Sequence, residues 1–184
     1  MARRQCVVGK YVYSSARLLP SDPRTEEAAR TVADAIIEIE PRFRIEHVGS
    51  TAVQGLAGKG IVDLVLVYPD GMLERARAVI DGLGFQRQNF GDPFPEDRPM
   101  RIGTIEVDGA EIKLHVHVIA GSSGEVADLL RFRDRLRADS RLRRAYVERK
   151  RRLIDTGVTE SPEYANRKGA FIRAFLDRAV GRAR

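Results

Sequence analysis

From Ile45 to Val67 the chain reads as a strand, a tight turn, a short helix and a second strand, and few folds accommodate that succession. Ile45 to Val48 is extended and mostly apolar. Gly49 lets the backbone turn without a Cβ clash. Ser50 or Thr51 can cap the short helix expected next. A helix N-terminus behind a small-residue turn offers its N–H groups to phosphate. Val62-Asp63-Leu64-Val65-Leu66-Val67 then has the composition of a buried strand. A carboxylate inside such a strand is costly unless it binds something. Asp63 beside a phosphate cradle is what a metal–nucleotide site needs.

Around this unit the pattern predicts an α/β chain. Asp22-Pro23 opens a helix whose apolar face carries Ala28, Ala29, Val32, Ala35, Ile36 and Ile39, and Pro41 ends it. A second helix runs from Met72 to Leu83 and stops near Gly84. Residues 86 to 100 are loop-like, with three prolines. Arg101 to Val107 and Ala110 to Ala120 read as strands joined by Asp108-Gly109, a hairpin turn. Three helices follow Gly121-Ser122-Ser123-Gly124. Helices and strands mixed in this way in 184 residues predict one domain with a mixed central sheet flanked by helices. Residues 1–16 form an arm or edge strand, and 17–184 the domain with a C-terminal helical bundle.

Candidate chemistry concentrates on few residues. Side chains of a strand alternate faces, so Glu111, Lys113, His115 and His117 share one face opposite Ile112, Leu114, Val116 and Val118. His115 and His117 can ligate one metal or act as general bases, with Asp63 and Glu111 supplying carboxylates. They are equally read as ordinary polar residues of an open sheet face. Lys59 precedes the Asp63 strand and can meet a phosphate, or be a solvated loop lysine. On the last three helices Arg133, Lys150 and Lys168 fall on or beside apolar stripes. There each must snorkel out or meet an anion, and together they can converge on one anionic ligand. Arg133 can instead be a structural bridge to Asp63 or Asp134.

The run His47-Val48-Gly49-Ser50-Thr51-Ala52-Val53, with Gly55, Leu56, Lys59 and Asp63, resembles the GrpB-like family (UPF0157) of the nucleotidyltransferase superfamily. Gly60 stands where that family usually has proline. The likeness continues through Leu114-His115-Val116-His117, Phe132-Arg133-Asp134, Leu136-Arg137, Tyr146, Lys150, Tyr164, Lys168 and Phe171, covering residues 17 to 176. It implies a nucleotidyltransferase-like fold and a cleft for a nucleotide or other phosphorylated small molecule. Gly49, Ser50, Thr51, Lys59, Arg133, Lys150 and Lys168 would bind it. Asp63, His115 and His117 would be catalytic, with Mg²⁺ as cofactor. Classical members pair two carboxylates at i, i+2. Here Ile61 and Val65 flank Asp63, so a non-catalytic nucleotide- or partner-binding module stands beside the enzyme. Similar domains fused behind dephospho-coenzyme A kinase add a link to coenzyme A metabolism.

Charge and composition set the partners. Lys+Arg 32 against Asp+Glu 26 gives +6, which suits anionic ligands. With no Trp and few aromatics, stacking platforms are scarce and nucleic acid is not the expected partner. One cysteine suits a reducing cytosol. The apolar run after Met1 is too short for a secretory signal and no segment reaches the length of a membrane span, so the expected location is cytoplasmic.

Overall fold

Asp22 starts the first helix as its sequence predicts. Its carboxylate accepts a hydrogen bond from the Arg24 backbone N–H at 2.9 Å, with Pro23 already helical at φ −62°. The computed structural model describes residues 6–15 and 17–156. In chain order it contains α1 (Arg24–Ile39), β1 (Arg44–Val48), β2 (Val62–Tyr68), α2 (Leu73–Gly82) and β3 (Gln86–Arg87). Then follow β4 (Met100–Val107), β5 (Ala110–Ala120), α3 (Gly124–Ala138) and α4 (Ser140–Asp155). Glu40, extended before Pro41, ends α1. Asp108 and Gly109 both adopt positive φ, 46° and 72°, which turns β4 into β5 with the twist a hairpin requires.

The sheet order is β1-β2-β5-β4-β3. β2 and β5 run parallel and every other pair is antiparallel, so the sheet is mixed, as expected. One face carries Val62, Leu64, Leu66, Leu114, Val116 and Val118 and is sealed by α1 and α2 through Ala28, Val32, Ile36, Ala76 and Ile80. The opposite face is covered in two separate patches. Val126 of α3 lies on Val48, Val65, Val67 and Ile119. Tyr11 of the N-terminal arm lies on Met100 and Ile102. Between these patches a strip of sheet stays partly open, and it holds Asp63 and His115.

The arm reaches that face by crossing the sheet edge. Val8 packs with the core on the helical side, Gly9 pairs with Thr104, and Tyr11 emerges on the other side. A Cβ on Gly9 would come within 2.7 Å of Thr104 Oγ1, so the crossing needs a glycine.

Two expectations are corrected. No helix follows Gly49-Ser50: residues 49–55 form successive turns, with Val53 N–H donating to Ser50 O and Leu56 N–H to Val53 O. Positive φ at Gly49 and Gly55, both 74°, breaks any helical run there. The stretch 86–100, read as loop, begins with the short edge strand β3. The expected third C-terminal helix, with Tyr164 and Lys168, falls outside the described residues. Among those residues no helix is long and apolar enough to cross a membrane.

Candidate functional site

Parallel pairing sets Asp63 of β2 directly beside His115 of β5, so both side chains leave the same face. His115 Nδ1 stands 3.5 Å from Asp63 Oδ1, and both side chains are about half-way into the surface, 16% and 21% exposed. On its other side His115 Nε2 lies 3.3 Å from the Tyr11 hydroxyl. Burial, reinforced by Asp63 and Tyr13, pushes the Tyr11 phenol up to about 12, so it keeps its proton at neutral pH. A phenol donating to Nε2 assigns the ring hydrogen to Nδ1, facing the carboxylate. The result is an imidazole held between a donor and an acceptor, with both ring nitrogens engaged and its plane fixed beside Asp63.

The loop from Gly49 to Ile61 forms one wall. Gly49 sits under Asp63: a Cβ there would strike Asp63 Oδ2 and lie 3.2 Å from Asp63 Cβ. His47 and Thr51 close the base of the loop. Thr51 Oγ1 donates to the Ile61 carbonyl at 3.2 Å, so it accepts from His47 Nε2 at 3.0 Å. Burial lowers the His47 pKa to about 4 despite the Asp63 carboxylate, with Arg137 and Arg133 adding to the effect, so the ring is neutral.

Lys150 of α4 is 2% exposed and its ammonium donates to the Ala57 carbonyl, 4.6 Å from the Tyr146 ring centre. It lies next to Gly58, where a Cβ would meet Ser50 Oγ at 2.5 Å. Ser50 is itself buried. Ser50, Thr51 and Lys150 thus hold the loop in shape. Lys150→Ala is expected to lower stability by about 2 kcal/mol, from an orphaned carbonyl and a lost buried stem. Lys150→Met, which keeps the stem, should cost less in the same urea titration, and equal losses would contradict this account.

Several predicted residues have other partners or positions. Arg133 bonds Glu46 Oε2 at 2.9 Å, the His47 carbonyl at 3.2 Å and Asp134 at 2.8 Å, bridging α3 to β1 rather than entering the cleft. His117 Nδ1 meets Arg98 at 3.2 Å, under the edge of Phe94. Glu111 is exposed and four residues before His115, about 13 Å along the strand. With Ile61 and Val65 flanking Asp63, the described residues contain no group of three His, Cys, Asp or Glu able to hold a metal. The expected Mg²⁺ set of Asp63, Glu111, His115 and His117 is therefore not assembled. Hard cations need several oxygen ligands, and one carboxylate beside an imidazole does not fit.

Lys59 does face a cavity. A space of 310 Å³ is lined by Ser14, Ser15, Arg17, Leu19, Lys59, Ile61 and Lys113. Lys113 Nζ donates to the Val12 carbonyl at 2.7 Å and to Ser14 Oγ at 2.8 Å, and lies 5.2 Å from the Tyr11 ring centre. Tyr11, Arg17 and Lys113 were not singled out from the sequence as binding residues. The signal for Lys113 was its place on the His115 face. Tyr11 and Arg17 carry no local signal.

Comparison with known proteins gives a consistent picture. A sequence model described as GrpB protein matches residues 15–178. A UPF0157 protein of Halalkalibacterium halodurans is 29% identical over 169 residues, 90% of this chain and 83% of that one. One from Pseudomonas aeruginosa is 33% identical over 91% of this chain and 69% of its own length. Among solved structures, the conserved protein GrpB from Enterococcus faecalis superposes with a TM-score of 0.67 at 20% identity, over 91% of this chain and 99% of that one. Cid1, solved with its short product ApU, gives a TM-score of 0.49 at 18% identity, over 71% of this chain and 41% of Cid1.

Proposed function

As this chain belongs to the GrpB family, we propose that it binds a nucleotide or another phosphorylated small molecule in the cleft between Asp63, His115 and the Gly49–Ile61 loop. The observation that carries this reading is the position of Asp63. A carboxylate half-buried in an apolar strand is unfavourable by itself. Here it has a histidine beside it, a left-handed glycine beneath it and a partly open strip of sheet above. Asp63 accepts from a ligand hydroxyl or amine, and His115, oriented by Tyr11, positions the carboxylate for that contact. The protein works in the cytoplasm, where its single cysteine stays a thiol.

Between nucleotidyl transfer and binding alone, the side chains favour binding. Two-metal transfer relies on carboxylates that bracket the reacting phosphate. Ile61 and Val65 occupy the positions from which a second one would project beside Asp63.

The test is a thermal-shift panel of nucleotides and sugar phosphates. A ligand that binds only the native state raises its melting temperature. The expected result is a saturable rise for wild type and an affinity about tenfold weaker for Asp63→Asn and His115→Gln, the loss of one hydrogen bond to a charged or oriented group. A panel that gives no saturable rise removes the reading. Nucleotide consumption that disappears in Asp63→Asn would replace binding by transfer.

A further inference from the structure

We propose that the cavity between Arg17, Lys59 and Lys113 is the subsite for the ligand's phosphoryl group, an inference that rests on the cleft reading above. Among the described residues, three cations and two serine hydroxyls line it, with Leu19 and Ile61 and no carboxylate. Cations gathered around one cavity repel each other, and an anion seated among them adds attractions at shorter range that outweigh the repulsion. Lys113 is pinned rather than floppy. Two of its three N–H donors go to the Val12 carbonyl and Ser14 Oγ, both neutral, so its charge is not cancelled by them. The volume of 310 Å³ sits at the small end of ligand pockets, roughly 300–1,000 Å³, which suits a phosphoryl group better than a whole nucleotide.

The cavity is also in register with Asp63 and His115. Lys113 precedes His115 by two residues on β5, so both leave one face about 7 Å apart, and Ile61 lies just before β2, two residues ahead of Asp63. A phosphomonoester or diphosphate seated among the cations therefore places its next group at the Asp63–His115 pair. The ligand class is a small molecule ending in one or two phosphoryl groups, with a hydroxyl or amine close behind them. Because Ser14, Ser15 and Arg17 come from the segment leading out of the arm, the subsite exists only when the arm is seated. Leu19 holds that segment down through paired backbone hydrogen bonds with Gly58 at 2.7 and 3.0 Å.

The experiment uses the full chain with inorganic phosphate and pyrophosphate as probes, followed by calorimetry at low and high salt. Wild type is expected to bind pyrophosphate saturably and more weakly at high salt. Lys59→Met and Arg17→Met are each expected to weaken it about tenfold. Urea unfolding of the same variants checks that they fold. Asp63→Asn is expected to weaken nucleotide binding. Absence of saturable phosphate or pyrophosphate binding, or unchanged affinity in both Lys59→Met and Arg17→Met, overturns the subsite. If nucleotides then still bind in an Asp63-dependent way, the cleft reading survives and only the subsite falls. Pyrophosphate binding lost in Lys59→Met, with no Asp63-dependent ligand found, supports the subsite and rejects the cleft reading.

Discussion

Gly49→Val is expected to lower the unfolding free energy by roughly 3–5 kcal/mol and to abolish ligand binding in the cleft. Two costs add at this position. Gly49 has φ +74°, a left-handed conformation that a β-branched residue adopts only under strain. The new Cβ would also strike Asp63 Oδ2, and the Asp63 Cβ at 3.2 Å leaves that carboxylate no room to swing back. Gly55 separates the two costs. It has the same φ of +74° but nothing within 4 Å of its would-be Cβ. Gly55→Val should therefore lose only the conformational part, about 1–3 kcal/mol, and keep the ligand. Urea titrations of the two variants measure the difference. Equal destabilisation would mean that Asp63 does not rest on Gly49.

Acid should weaken the fold first through His47, by up to about 3 kcal/mol between pH 6.5 and 4. The folded pKa is about 4 and the ordinary value 6.5, with burial as the main cause. Below pH 6.5 the unfolded chain takes up a proton that the folded ring refuses. Stability from this group is therefore complete above pH 6.5 and falls until the folded ring also titrates near pH 4. Carboxylates with depressed values act later. Glu40, held at about 2 chiefly by its hydrogen bond from Arg42, loses its contribution only as pH falls from 4.5 toward 2. The interval from pH 6.5 to 4.5 thus separates His47 from carboxylates such as Glu40. His47→Gln retains an amide donor for Thr51 and does not titrate, so its stability should decline less steeply than wild type across that interval. An equally steep decline in His47→Gln would assign the effect to another group. The loop that His47 clamps shapes the cleft, so ligand affinity should weaken over the same interval in wild type.

Elements whose causes are local are legible in the residues themselves. Alternation with period two told β5 apart from a helix and placed Lys113, His115 and His117 on one face. Asp108-Gly109 fixed the hairpin, and Asp22-Pro23 with Pro41 bounded α1. An acid in an apolar run marked Asp63. The family likeness was legible because it lies in contiguous residues, from His47 to Asp63. The turns of residues 49–55 were not legible. Ser50 and Thr51 are good helix caps, yet Gly49 and Gly55 take left-handed φ, and Ser50 and Lys150 fix the loop from across the chain. Propensity yields there to contacts with α3 and α4, through Val53 and Leu56 against Phe132, Leu136 and Tyr146.

Which charges meet depends on packing between distant segments. Arg133 and Lys150 looked alike on their stripes, but one bridges Glu46 and Asp134 while the other is sealed under the loop. Asp63 and His115 became a pair because β2 and β5 run parallel in one register, a choice no local pattern specifies. Tyr11 reaches His115 across 104 residues, and Lys113 reaches Val12 across 101. Contacts that distant form when a chain crosses a sheet edge at one glycine. The physical cause of Asp63's environment therefore lies in packing between segments that carry no mark of each other.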